Sequence, residues 1–206
     1  MENRLKLINL FQENNIFGIG IELGTYKGHY AKEILKVWSG KLYLVDVWRN
    51  LENDDYLDGS NQIDYKSIIS ECFDSIKENE DRCFIIRADS KNAIELFNDL
   101  SLDFVYIDAN HKYEHVKEDL NIWFPKVRYG GIVSGHDYLN TDWYRNNPNE
   151  KDRWIWTDCE SNENNLISGN TGAIFGVNPA VDEFCKQFGY DVNITKEWFG
   201  SWYFKK

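Results

Sequence analysis

The run Ile19-Gly-Ile-Glu-Leu-Gly-Thr-Tyr-Lys-Gly28 joins an apolar stretch to a glycine-rich bend. Apolar residues lead up to Leu23, and beyond the bend Tyr30, Ile34, Leu35, Val37 and Trp38 recur at helical spacing. Strand, tight turn and helix make the first half of a βαβ unit. Gly24 and Gly28 let the backbone turn sharply and let a ligand approach it closely. The start of the helix offers unpaired N–H groups beside the end of the strand. Glu22 separates this bend from a phosphate cradle, because a carboxylate repels phosphate and favours a cationic or hydroxyl-bearing ligand.

Working outward, the same alternation repeats. Residues 3 to 14 read as an amphipathic helix, Gly18–Leu23 as the first strand and Lys27–Trp38 as its helix, closed by Ser39-Gly40. Lys41–Asp46 reads as a buried second strand. A polar loop over 48 to 60 and a helix over Asn61–Asn79 follow, then a third strand, Cys83–Arg87. Ala88-Asp89-Ser90 is a loop with an N-cap before a short helix at Lys91–Asn98. The fourth strand, Asp103–Ile107, ends at Asp108, and Tyr113–Phe124 is the helix after it. Tyr129-Gly130-Gly131 reads as a turn into a fifth strand, Ile132–Ser134, which ends near His136-Asp137.

Periodicity then fails. Residues 138–171, rich in Asn, Asp and Trp (Trp143, Trp154, Trp156), are expected to be a lid or substrate loop. Ala173–Val177, a helix over Pro179–Phe188 and strands at Asp191–Thr195 and Ser201–Phe204 complete the chain. The expectation is an α/β fold in one domain, 1–206, with an N-terminal helical segment 1–16 and an insertion at 138–171. Five strand–helix pairs in succession mean an open parallel sheet with helices on both faces.

In such a sheet ligands bind beyond the carboxyl ends of the strands. Glu22, Asp46, Asp89, Asp108 and Asp137 are all expected there. A carboxylate often caps the next helix, which would explain one or two of them. Asp46, ending the second strand after the glycine bend, is placed to accept both hydroxyls of a ribose. Asp89 and Ser90 can hold an adenine amino group or simply cap a helix. Asp108, His111, His136 and Asp137 converge if strands four and five are neighbours. Two carboxylates and an imidazole suit a divalent cation such as Mg²⁺ or Mn²⁺, which lowers the pKa of a bound hydroxyl. His111 is a candidate general base near neutral pH. The plainer reading makes His111 a helix cap and His136-Asp137 a surface pair.

Composition narrows the partners. The 206 residues carry a formal net charge of −11, with 16% aromatics and 8 Trp. An acidic chain is a poor partner for nucleic acid or an anionic membrane surface. No apolar run nears the roughly 20 residues that span a bilayer. Cys72, Cys83, Cys159 and Cys185 are too far apart for a CxxC motif and read as reduced thiols of a cytoplasmic protein. A small-molecule ligand is expected, and a homo-oligomer is compatible with this reading.

Glu22-Leu-Gly-Thr-Tyr-Lys-Gly28, Val45-Asp46, Asp103-Phe-Val-Tyr-Ile-Asp-Ala-Asn-His111 and Gly130-Gly-Ile-Val-Ser-Gly-His-Asp137 together resemble a class I S-adenosylmethionine-dependent methyltransferase. More narrowly they resemble the macrocin-type sugar O-methyltransferase branch, over about residues 16–137 and more loosely at the Ala180-Val-Asp-Glu-Phe helix and the Ser201-Trp-Tyr-Phe strand. The resemblance implies a Rossmann-like doubly wound sheet of seven strands, the last antiparallel. It implies that Glu22, Gly24, Thr25 and Tyr26 hold the methionine part of the cofactor, that Asp46 takes the ribose, and that Asp89 and Ser90 flank the adenine. Asp108 falls at the cofactor and the reacting centre. Asp108, His136 and Asp137 match the Mg²⁺ positions of metal-dependent members, with His136 where an acid is usual. His111 matches the base of some members. The implied reaction is in-line methyl transfer to a small hydroxylated acceptor, and a cationic sulfonium suits an acidic pocket. Two rivals are a nicotinamide-dependent oxidoreductase, whose glycine spacing fits poorly, and a non-catalytic nucleotide-binding module on the same fold.

Overall fold

The computed structural model describes residues 1–13, 17–49, 64–139, 159–162, 165–168, 174–197 and 199–206. Two short helices, α1 (Arg4–Leu7) and α2 (Asn9–Glu13), precede β1 (Ile19–Leu23), α3 (His29–Leu35) and β2 (Lys41–Asp46). Then come α4 (Tyr65–Ile76), β3 (Cys83–Arg87), α5 (Ser90–Ala93), β4 (Leu102–Ile107), α6 (Tyr113–Trp123) and β5 (Val127–Leu139). The remaining elements are β6 (Cys159–Asn162), β7 (Asn165–Ser168), β8 (Ile174–Phe175), α7 (Val177–Phe188), β9 (Asn193–Ile194) and β10 (Phe199–Lys205).

The main sheet has seven strands in the order β3-β2-β1-β4-β5-β10-β9. The first five are mutually parallel, and β10 runs antiparallel to both its neighbours. This is the Rossmann-like architecture expected, with the last strand reversed. The order doubles back at β1 and β4, whose carboxyl ends open the crevice where ligands bind in such sheets.

Strand alternation sorts the core into two layers. Ile21, Leu23, Val45, Val105, Ile107 and Val133 face one side and pack with residues of α6 and α7. Leu42, Leu44, Phe104, Tyr106 and Ile132 face the other, under α1, α3 and α4. Gly20 lies on this second side, and a Cβ there would sit 2.1 Å from the Phe104 ring. The ring drawn across that gap stacks on Phe11 at 4.2 Å and meets Trp38 edge-on at 4.8 Å. The N-terminal segment is therefore bound into the core by its aromatic residue, although the chain turns at Ile8 and makes two helices rather than one.

β5 departs from expectation. It spans 13 residues, and the Tyr129-Gly130-Gly131 turn is part of it. Gly130 takes φ +77°, and the pairing with β4 shifts register opposite this point. The irregularity stays in the sheet because Gly130 N–H donates to Lys206 O at 2.6 Å and Lys206 N–H donates to Gly131 O at 2.9 Å. Of the expected lid at 138–171, Trp143, Trp154 and Trp156 lie outside the described residues, as does most of the 48–60 loop. The described parts of that region include β6 and β7, which pair antiparallel with β8 in a separate three-stranded sheet. Cys72, Cys83 and Cys185 are free, buried thiols. Among the described residues no helix is long and apolar enough to cross a membrane.

Candidate active site

The bend after β1 is held from both sides. Gly24 N–H donates to Val45 O at 2.8 Å, and Asp108 N–H donates to Leu23 O at 2.9 Å. Gly24 takes φ +78°, and a Cβ there would lie 2.0 Å from the backbone oxygen of Asp108. Gly24→Ala is therefore expected to destabilise the protein by at least about 2 kcal/mol, since strain in the left-handed region adds to a backbone clash. Gly189→Ala is the control, with φ +74° and nothing within 4 Å of the added Cβ. It is expected to cost about 1 kcal/mol, and urea denaturation of the two variants measures the gap.

Glu22 is 2% exposed and lies on the same face as Gly20 and Leu44. Its Oε2 accepts a hydrogen bond from Thr25 Oγ1 at 3.1 Å. Burial, reinforced by the Asp108 charge, pushes the carboxyl up to about 8, against the pull of Thr25 and Arg4. A buried carboxylate that resists ionising is poised to welcome a cation.

Asp46 ties the bend to the end of β2. Its Oδ2 accepts from Tyr26 N–H and its Oδ1 from Trp48 N–H, both at 2.8 Å. Trp48 Nε1–H in turn donates to Tyr26 O at 2.8 Å. Tyr26 and Trp48 are both held in the left-handed region, at φ +53° and +40°. Burial lifts Asp46 above the usual carboxylate range, and the backbone N–H groups of Trp48, Tyr26 and Val47 oppose it. Trp48, 1% exposed, is a site residue that the sequence reading missed. An aromatic two residues past a strand-end acid is the only local hint of it.

Asp89 caps α5, accepting from Asn92 N–H and from Asn92 Nδ2 at 2.8 Å each. Ser90 Oγ donates to Asp119 on α6. Burial drives the Asp119 carboxyl up to about 6 while that hydrogen bond holds it down. The capping geometry that competes with an adenine contact is thus present at Asp89.

Asp108, His111 and Asp137 form the other half of the site. His111 Nε2 lies 3.0 Å from Asp137 Oδ2 and 3.6 Å from Asp108 Oδ1. His136 Nδ1 lies 3.2 Å from Asp137 Oδ2. A bulge makes this possible: Gly135 pairs with Trp202 and Tyr138 with Gly200, so His136 and Asp137 together oppose one residue of β10. Asp137 takes φ +56° there. The pair thus sits within the strand and not beyond its end. The His111 loop is anchored by Gly176 N–H donating to His111 O at 2.7 Å, which links it to the start of α7.

Burial alone would lower the His111 pKa, but the Asp137 charge and the hydrogen bonds to Asp108 and Asp137 outweigh it and take the imidazole up to about 10. His136 rises for the same kind of reason, burial being overcome by Asp137 and Asp108. Burial would raise Asp137, yet the two imidazoles hold it well below the usual carboxylate range. At neutral pH this arrangement contains an imidazolium clasped between carboxylates.

The same atoms fit a divalent cation. One ligand atom each from Asp108, His111 and Asp137 lie within 4.8 Å of one another. An octahedral ion with bonds of about 2.1 Å needs neighbouring donors about 3 Å apart and opposite ones about 4 Å apart. The set differs from the sequence expectation, with His111 taking the third place and His136 standing beside it. Carboxylates with one imidazole suit Mn²⁺ at least as well as Mg²⁺.

A family model described as a methyltransferase domain matches residues 21–138, from β1 to the carboxyl end of β5. No curated protein sequence matches the chain. Similar solved structures include an O-methyltransferase from Bacillus cereus in complex with SAH, at 12% identity and TM-score 0.60, covering 98% of this chain and 80% of that one. The O-methyltransferase NovP is 16% identical at TM-score 0.60, over 98% of this chain and 79% of its own. An O-methyltransferase family protein from Burkholderia thailandensis is 11% identical at TM-score 0.64, over 98% and 55%. At such identities these likenesses speak for the fold.

Proposed function

Because the chain belongs to the methyltransferase-domain family, whose members here means S-adenosylmethionine-dependent enzymes, we propose that it methylates a hydroxyl oxygen of a small polar acceptor, sugar or glycoside-like. The macrocin-type sugar O-methyltransferase branch is the nearest model for that acceptor, and residues 1–206 act as one catalytic domain. The observation that carries the reading is the buried acidic bend, in which Glu22, Gly24 and Asp46 surround the carboxyl ends of β1 and β2.

In this reading Glu22, Gly24 and the Thr25–Tyr26 backbone hold the methionine part of the cofactor. Asp46 keeps lone pairs for the ribose beyond the two N–H groups it already accepts. Asp89 and Ser90 lie on the adenine side. The acceptor hydroxyl sits against Asp108 and His111. S-adenosylmethionine held there would supply the methyl group to the acceptor oxygen, the C–S electron pair staying on sulfur as a neutral thioether. The hydroxyl proton passes to His111 Nε2. Alignment of donor and acceptor supplies most of the acceleration, for which about 7–11 kcal/mol is a general ceiling.

His111 accepts a proton only once it is neutral, so turnover should rise with pH toward the region of its raised pKa, about 10. Asp108, His111 and Asp137 are also the residues that would hold a divalent cation, with His136 behind them. Bound there, such an ion would lower the pKa of the acceptor hydroxyl.

Calorimetric titration with S-adenosylmethionine tests the proposal, run with Mg²⁺, with a chelator, and with NAD as control. Saturable binding of S-adenosylmethionine in both conditions and no heat from NAD is the expected result, since the acids of the bend do not depend on the metal. Absence of S-adenosylmethionine binding in both conditions would overturn it.

A further inference from the structure

The site is lined by acids, yet the cofactor is not purely cationic. S-adenosylmethionine carries a sulfonium and an ammonium, which Glu22, Asp46 and Asp108 suit, and also an α-carboxylate, which they repel. A cation placed nearby would offset that repulsion.

The N-terminal segment brings one. Leu7, Ile8 and Phe11 are buried against the sheet, on the side of Leu44 and Tyr106. The leading end of the segment is fastened at the opposite rim. Lys196 N–H donates to Met1 O at 2.9 Å, and Arg4 N–H donates to Glu197 Oε2 at 2.8 Å. Glu197 is itself held by Thr195 Oγ1 at 2.9 Å. These residues follow β9, whose Ile194 pairs with Trp202, which in turn pairs with Gly135 near the carboxyl end of β5. Arg4 is therefore fixed on the ligand side of the sheet.

Its side chain is directed by two tyrosines. The guanidinium carbon lies 5.1 Å from the centre of the Tyr30 ring, and Tyr30 Oη donates to Arg4 O at 3.2 Å. The Tyr30 and Tyr106 rings are 4.5 Å apart, and Tyr106 stands two residues before Asp108. The Arg4 charge is felt at the Glu22 carboxyl, where it counters burial and Asp108. The Arg4 guanidinium also hydrogen-bonds the Tyr106 side chain, and with five N–H donors it has others left for a planar, bidentate partner such as a carboxylate.

We propose that Arg4, carried into the site by α1 and steered by Tyr30, binds the α-carboxylate of the methionine arm of S-adenosylmethionine. The inference rests on the reading that the Glu22–Tyr26 bend holds that arm. Tyr30, at the first turn of α3, is the residue that joins the bend to the N-terminal segment.

Decarboxylated S-adenosylmethionine, which keeps the sulfonium and the ammonium, isolates the effect. By calorimetry the unmodified protein should bind S-adenosylmethionine at least tenfold more tightly than the decarboxylated form. Arg4→Gln should weaken S-adenosylmethionine at least tenfold, leave the decarboxylated form within about twofold, and so erase the preference. Arg4→Lys should restore part of it. A purely structural role for Arg4 would weaken both ligands together, and a role in binding the acceptor would leave both unchanged; either result overturns the proposal. Failure of the unmodified protein to bind either ligand would instead remove the reading beneath it. Glu22→Gln, which keeps Arg4, should weaken both ligands by a similar factor and leave the preference intact, which separates the two claims.

Discussion

Glu22→Gln is expected to make the protein more stable and poorer at holding its cofactor. The carboxyl is buried, and burial with the Asp108 charge raises it to about 8 from its ordinary 4.5. A carboxyl raised on folding acts opposite to the usual salt-bridged acid. The folded state binds the proton more tightly than the unfolded chain, so stability is lost as pH climbs from about 4.5 through 8. At pH 7 that loss is on the order of 3 kcal/mol as an upper figure. Gln keeps an oxygen for Thr25 and carries no charge to desolvate. Urea denaturation at pH 5 and pH 8.5 should show stability falling less between the two in the variant than in the wild type, the difference being the Glu22 share, since His111 contributes its own fall in both proteins. Binding a sulfonium cation, in contrast, favours the ionised form, so at pH 7 the cofactor should expel a proton from Glu22. Titration in two buffers of different ionisation heat reads that proton directly. In the variant the proton release should vanish and affinity should fall by roughly ten- to a hundredfold, about 1.4–2.7 kcal/mol. Equal affinity in both proteins would remove Glu22 from the cofactor site.

Asp137→Asn is the second large effect. Asp137 supplies the charge that keeps the His111 proton in place. Breaking a buried ion pair from one side typically costs about 3–5 kcal/mol. The pH window follows from His111, raised to about 10 from 6.5. A raised imidazole stabilises fully below about 6.5, and the contribution is lost as pH rises through about 10. The wild type should therefore far exceed the variant in stability at pH 7, and the gap should close as pH approaches 10. Denaturation curves at the two pH values give the comparison. A gap that stays constant would mean that the pair is not ionic. With Asn at 137 the imidazole should titrate nearer neutrality, visible by NMR. The pH dependence of turnover should move down with it, the rise toward pH 10 giving way to a rise near neutrality.

Much of this fold is legible in sequence because parallel strands buried on both faces read as short apolar runs, and their acids and glycines mark where they stop. Glu22, Asp46 and Asp108 stand out for that reason. β5 is harder to read. Tyr129-Gly130-Gly131 has the composition of a turn, and His136-Asp137 that of a loop. Both stay in the sheet because strand β10, distant in sequence, supplies the hydrogen bonds. The bulge that aims Asp137 at His111 is equally a product of that pairing. Arg4 could not be placed at the site from local pattern either, since its position depends on Glu197 and Tyr30.

The reversed strand β10 sets an order of assembly. β5 ends at Leu139, and its partner does not begin until Phe199. While the chain emerges from a ribosome, β1 to β5 can pair with one another, but the far edge of β5 stays bare. Such an edge recruits other strands, and long-range pairing is slow to form. The Asp137 bulge is unformed during that interval, so the Asp108, His111 and Asp137 cluster is completed after the glycine bend. A nascent chain halted before Phe199 would thus hold the glycine bend already shaped beside an open, association-prone sheet edge.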